Sequence, residues 1–184
     1  MEAYNLLQKQ AETNKQIYTV LRFACQCKHV SALVLNTYES ATAFIAAKVQ
    51  TIRMYSLADV DDTAAAIYQE AAKNMSLDFK VNKLAEDGIE DTELLYINTP
   101  SEGTFRANEL VKFNSKVSKY ILLPNTTKFG LRPSDNIKLG EGQTPIGLVF
   151  GINHFIQTHD NWFILEHDDI DPGMTVLVNK QTLA

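Results

Sequence analysis

Two stretches in the middle of the chain, Leu94-Leu95-Tyr96-Ile97-Asn98-Thr99 and Tyr120-Ile121-Leu122-Leu123-Pro124-Asn125-Thr126-Thr127, decide how the rest of the sequence is read. Each is a short apolar run closed by Asn-Thr. Between them Phe105, Leu110, Phe113 and Val117 recur at helical spacing, interleaved with Arg106, Glu109, Lys112 and Lys116. Strand, helix, strand at this length is a βαβ crossover, which makes the two strands parallel and covers both of their faces. Open parallel sheets bind ligands outside the carboxyl ends of their strands. Both Asn-Thr tips therefore point to where a ligand would sit.

The same alternation extends in both directions. Toward the N-terminus, short buried strands are expected at Val30–Leu35, Thr51–Leu57 and Leu77–Val81. Helices are expected at 3–24, 40–49 and 64–73, the last opened by Asp61, Asp62 and Thr63, whose acids suit a helix N-terminus. Toward the C-terminus come a Gly-rich loop, Gly130–Gln143, a helix over 145–158, and two runs, Trp162–Glu166 and Met174–Val178. The link between those runs, 167–173, is short and polar, so they should pair as an antiparallel hairpin. No internal repeat or interdomain linker interrupts the pattern. The expectation is one domain over 1–184: a helical segment at 1–28 and an α/β core at 30–180, with a mostly parallel central sheet, helices on both faces and a C-terminal hairpin at one edge.

Composition bounds the partners. A chain of 184 residues suits one domain with a sizeable core, and 45% hydrophobic with 21% charged residues is ordinary for a globular protein. A net charge of −5 argues against a general nucleic-acid binder. No apolar run approaches the roughly 18–20 residues that span a bilayer. Met1-Glu2-Ala3-Tyr4-Asn5 lacks the features of a signal peptide, and Cys25 and Cys27 face apart on a helix, so a cytoplasmic setting is expected.

The second half resembles the class I S-adenosylmethionine-dependent methyltransferases, and within them the small methyltransferases related to the cephalosporin-hydroxylase family. The similarity rests on Glu93-Leu94-Leu95-Tyr96-Ile97-Asn98-Thr99, on Pro124-Asn125-Thr126-Thr127-Lys128-Phe129-Gly130 and on Pro172-Gly173-Met174-Thr175-Val176-Leu177. It implies a Rossmann-like methyltransferase fold and S-adenosylmethionine as cofactor. The family places an acid at the end of strand one, then a glycine and a Gly-Gly pair; here those places hold Val34, Asn36 and Ser40-Ala41. Its carboxylates after strands four and five become Asn98 and Asn125, and its neighbouring histidines are replaced at Pro124 and at Ser101-Glu102-Gly103. The resemblance thus implies a methyltransferase-like protein with an eroded cofactor site and a binding or structural role. The alternative is an active methyltransferase acting on a small-molecule or sugar hydroxyl.

The candidate crevice comprises Asn36, Tyr38, Ser40, Asp59, Asn98, Thr99, Asn125 and Thr126. Asp59 follows strand two, where Rossmann-like folds place an acid on ribose hydroxyls; helix capping is the competing role for it and for Asp61 and Asp62. Asn98 and Asn125 have turn or cap formation as their alternative. No metal is expected: His154 and His159 miss the i, i+4 spacing of a zinc helix, and His167 with Asp168, Asp169 and Asp171 reads as a polar hairpin loop. Seven basic residues from Arg106 to Lys138 face only Glu109 and Asp135, which reads as a solvated helix face or as an attraction for acidic ligands. The Gly130–Gln143 loop is placed like a lid and equally like a plain excursion. The partners expected are a small molecule or a protein, a homodimer included, with neither nucleic acid nor membrane.

Overall fold

In the computed structural model, which describes residues 14–35, 37–86, 88–133 and 144–183, seven strands form one sheet in the order β3-β2-β1-β4-β5-β7-β6. The strands are β1 (His29–Val34), β2 (Thr51–Ser56), β3 (Asp78–Lys83), β4 (Thr92–Asn98), β5 (Val117–Pro124), β6 (Trp162–Asp168) and β7 (Met174–Asn179). The helices are α1 (Lys15–Ala24), α2 (Ser40–Ala46), α3 (Asp62–Asn74), α4 (Gly103–Phe113) and α5 (Leu148–Thr158). The first five strands run parallel, and β7 pairs antiparallel with both β5 and β6. The expected architecture holds. Residues 3–13 of the first expected helix, and residues 134–143 of the loop, lie outside the described residues.

Burial explains the strand sequences. All six residues of β7 and five of six in β1 and β2 are buried, because helices cover both faces and hydrophobic alternation disappears. The two faces remain distinct underneath. Ala32, Val34, Ile52, Met54, Tyr96, Leu122 and Val176 pack under α1, α2 and α3, whereas Leu33, Leu95, Ile97, Ile121 and Leu177 pack under α4 and α5. The edge strands β3 and β6 are only half-buried and carry charges such as Lys80, Lys83, Glu166 and Asp168, which discourage further pairing. No described helix is long and apolar enough to cross a membrane.

The helically spaced set ends at Val117, which opens β5 at the start of the expected strand 117–124, after a 3-10 turn at Asn114–Lys116. One expectation around α4 needs correction. Arg106 and Glu109, counted with the solvated face, are buried, while Phe105 and Val111 are exposed. The reason lies in spacing: Arg106, Leu110 and Phe113 stand at i, i+4 and i+7 and share one face. Polarity suggested the outward direction, and the helical period decides the inward one.

The helices α4 and α5 cross closely at glycines. A Cβ placed on Gly151 would lie 2.0 Å from the carbonyl oxygen of Gly103. Gly151→Ala gains about 1 kcal/mol of helix propensity, but separating two helices packed over the sheet outweighs it. We expect a net loss of about 2 kcal/mol, measurable as a lower urea midpoint; an unchanged or raised midpoint would show that the crossing has slack.

Candidate functional site

The strand order reverses between β1 and β4, the place where open α/β sheets form a ligand crevice. Val34 and Asn98, the last residues of these strands, are direct register partners. The structure therefore brings the described ends of β1, β2, β4 and β5 to one edge of the sheet, and the individual environments of the residues there decide what they can do.

The exit of β1 is pinned to β2. The N–H groups of Leu57 and Ala58 donate to the carbonyls of Val34 and Leu35 at 2.8 and 3.2 Å, and the Ser56 hydroxyl donates to Leu35 O at 2.5 Å. The parallel ladder thus runs on past both strands. Asn36 lies outside the described residues. Tyr38 is buried; its ring meets Tyr68 edge-on at 6.5 Å, and its hydroxyl accepts the Asp61 N–H at 3.3 Å. Ser40 opens α2, whose seven residues are all buried, and its hydroxyl has no hydrogen-bond partner among the described residues. Val34 lies within the apolar core.

Asp59 is exposed and bonded to Lys83 Nζ at 2.6 Å, and that ammonium holds its carboxyl below the ordinary carboxylate range. Asp61 caps α3 by accepting the Ala64 N–H at 3.0 Å, the role its position suggests.

At the tips of β4 and β5 the residues divide. Asn98 is half-buried. Thr99 is buried, and its hydroxyl donates to Glu109 Oε2 at 2.8 Å. Asn125 adopts φ +63, a left-handed conformation that asparagine tolerates, and its N–H donates to Gly173 O at 2.8 Å. The Thr126 hydroxyl accepts from Thr175 at 3.0 Å, and Thr175 also meets His167 Nδ1 at 2.8 Å. The β5 tip is thereby clamped to the β6–β7 link, and His167 enters that clamp. Among the described residues, no group of three or more His, Cys, Asp or Glu side chains is arranged to hold a metal ion.

Three functional-looking residues escape the sequence reading. Glu102 is completely buried; its carboxylate accepts the Phe105 N–H at 2.7 Å and the Ile146 N–H at 3.0 Å. Burial pushes its carboxyl up, but the N–H groups of Ile146, Phe105 and Thr104 outweigh this and hold it below the ordinary range. Glutamate is not among the preferred N-cap residues, so nothing local announced the role. Arg106 donates to the carbonyls of Ile97 at 2.5 Å and Thr99 at 3.4 Å, and its Nε lies 3.6 Å from Glu109 Oε2, too long for a hydrogen bond. Burial lowers the Arg106 pKa and raises that of Glu109, the latter opposed by Arg106 and Thr99. Their i, i+3 spacing on the face of Leu110 and Phe113 was the available signal.

A groove of about 630 Å³ opens at the opposite edge, by the amino ends of β1, β4 and β5. Its carboxylates are occupied: Asp91 pairs with Lys116 at 3.0 Å and Glu93 with Lys119 at 2.6 Å. The cationic stretch is likewise partly spent, since Arg106 is buried and Lys116 and Lys119 are paired, while Lys138 lies outside the described residues.

No protein-family model matches the chain, and no curated protein matches it in sequence. Solved structures do match in fold. An O-methyltransferase from Bacillus cereus in complex with SAH superimposes with a TM-score of 0.61 at 11% identity, over 97% of this chain and 91% of that one. A caffeoyl-CoA O-methyltransferase-like protein from Staphylococcus aureus gives 0.56 at 11% identity, over 96% and 91%. The O-methyltransferase TomG from Streptomyces achromogenes, in complex with SAM, gives 0.55 at 9% identity, over 88% and 78%. The fold is that of class I S-adenosylmethionine-dependent methyltransferases, Rossmann-like with a C-terminal antiparallel pair.

Proposed function

We propose that this methyltransferase-fold chain no longer uses S-adenosylmethionine, and that it serves as a binding or structural module with a small molecule or a protein, a second copy of itself included, as partner. The observation that carries this reading is the pinned exit of β1, where Leu57, Ala58 and Ser56 bond the Val34 and Leu35 carbonyls and Tyr38 is buried beside them. A cofactor with a charged ammonium and ribose hydroxyls needs acceptors there. Val34 offers none, Asp59 is engaged by Lys83, and the Thr99 hydroxyl is spent on Glu109. The second reading, an active methyltransferase on a small-molecule or sugar hydroxyl, draws support from the buried Ser40 hydroxyl, which lacks a partner among the described residues.

Thermal unfolding with S-adenosylmethionine or S-adenosylhomocysteine separates the two. A ligand at a hundredfold excess over its Kd stabilises a protein by about 2.7 kcal/mol, roughly 5–10 °C for a chain of this size. We expect millimolar ligand to leave the melting temperature within about 1 °C. A reproducible rise of several degrees would establish the enzyme reading instead.

A further inference from the structure

We propose that the groove at the amino ends of β1, β4 and β5 binds a small organic cation of the guanidinium class, held by hydrogen-bond acceptors fixed along its walls. The groove lies on the edge of the sheet opposite the crevice. The proposal therefore goes beyond the reading above and stands whether or not that crevice takes a cofactor.

The groove encloses about 630 Å³, within the roughly 300–1,000 Å³ of small-molecule sites. Among the described residues that line it, Val117 alone is apolar, and Val117 is buried. A greasy ring or chain therefore finds no wall to cover it. Whatever settles there is held by polar contacts, and the hydrogen bonds already made inside the groove decide which kind.

Those bonds spend donors and leave acceptors. The Thr92 hydroxyl shares its one proton between the carbonyls of His29 at 3.1 Å and Leu94 at 3.0 Å, and the Ser118 hydroxyl turns toward Thr92 O at 3.4 Å. Asn114 gives both Nδ2 protons to Leu110 O and Val111 O, at 3.1 and 2.8 Å. A hydroxyl has one proton and an amide nitrogen two, so what these fixed groups still offer is oxygen lone pairs. Glu93 is fully engaged, by Lys119 on one oxygen and by the Lys28 and His29 N–H groups on the other. Asp91 is not: Lys116 holds its Oδ1 at 3.0 Å, and its Oδ2 has no partner among the described residues. That pair is exposed, 84% and 45%, so it holds Asp91 only loosely. Asn114 and Lys116 follow the C-terminal end of α4, where the helix dipole favours a cation. A guanidinium group meets this arrangement: it carries five N–H donors in one plane, stays charged and is weakly hydrated. The side chains of Ser115, Asn161 and Gln181, which have no partner among the described residues, are free to turn toward it.

The test titrates the full chain with three compounds of similar size and reads the Asn and Gln side-chain amides by NMR. Ethylguanidinium has both charge and N–H donors, ethylurea has the donors without the charge, and ethyltrimethylammonium has the charge without the donors. Ethylguanidinium should bind at least about tenfold more tightly than either, the effect of one hydrogen bond to a charged group. Its shifts should fall on Asn114, Asn161 and Gln181. Asp91→Asn, at a position exposed enough to leave the fold intact, should bring ethylguanidinium down to the affinity of ethylurea. Equal binding of ethyltrimethylammonium would show bare charge attraction and overturn the proposal. So would equal binding of ethylurea, an Asp91→Asn variant with unchanged affinity, shifts confined to the crevice edge, or no binding at concentrations that leave the protein folded.

Discussion

Arg106→Met should destabilise the protein by about 3–5 kcal/mol at neutral pH, because it leaves Glu109 as an uncompensated charge in the core. Arg106 is 1% exposed and reaches the Ile97 and Thr99 carbonyls as well as Glu109. The double variant Arg106→Met/Glu109→Met should recover most of the loss, since apolar pairs of similar volume often replace buried ion pairs without penalty. The pH dependence follows from the direction of the Glu109 shift. Burial raises its pKa in the folded state, and removing Arg106 raises it further. A carboxyl raised in this way favours folding below its unfolded pKa and loses that advantage as pH rises through the folded value. The deficit of Arg106→Met should therefore shrink between pH 8 and pH 5 in urea titrations. Equal losses in the single and double variants, with no pH effect, would mean that the guanidinium acts only through the two carbonyls.

The second large effect is at Glu102. Glu102→Ala removes the charged acceptor shared by the Phe105, Thr104 and Ile146 N–H groups. Hydrogen bonds to a charged group contribute about 1.5–3 kcal/mol each, so a total loss of about 3–5 kcal/mol is expected. Glu102→Gln, which keeps one acceptor oxygen, should lose roughly half as much. Here the pH dependence runs the other way. The folded pKa is depressed, so the stabilisation is present above the unfolded value of about 4.3 and is lost as pH falls through the folded value. The unmodified protein should weaken below about pH 4 in a way that Glu102→Gln does not. Parallel acid profiles for the two proteins would remove Glu102 as the source.

The strands were legible because burial on both faces leaves an unmistakable mark: Leu94–Ile97 and Tyr120–Leu123 have no polar residue on either side of the sheet. Hairpin pairing of Trp162–Glu166 with Met174–Val178 followed from the short polar link. The orientation of α4 was less accessible, because two charged residues that neutralise each other inside a core look, one at a time, like a solvated face. Register and strand direction bring the carboxyl ends of β1, β2, β4 and β5 to one edge of the sheet. What each side chain does there depends on contacts far away in sequence. Thr99 answers to Glu109, Thr126 to Thr175 and Asp59 to Lys83, and no local pattern encodes those pairings.

Of the seven described strands, β7, which joins β5 to β6, is synthesised last. Every residue of β7 is buried, and β5 and β6 touch the rest of the ladder on that side only through it. A nascent chain released from the ribosome before Met174 would leave the apolar edge of β5 without its partner, open to pairing with other chains. Synthesis of this protein thus passes through a vulnerable interval that closes only when β7 has emerged. A premature stop there should yield aggregates or chaperone clients, whereas deletion of the exposed Gln181 should be tolerated by comparison.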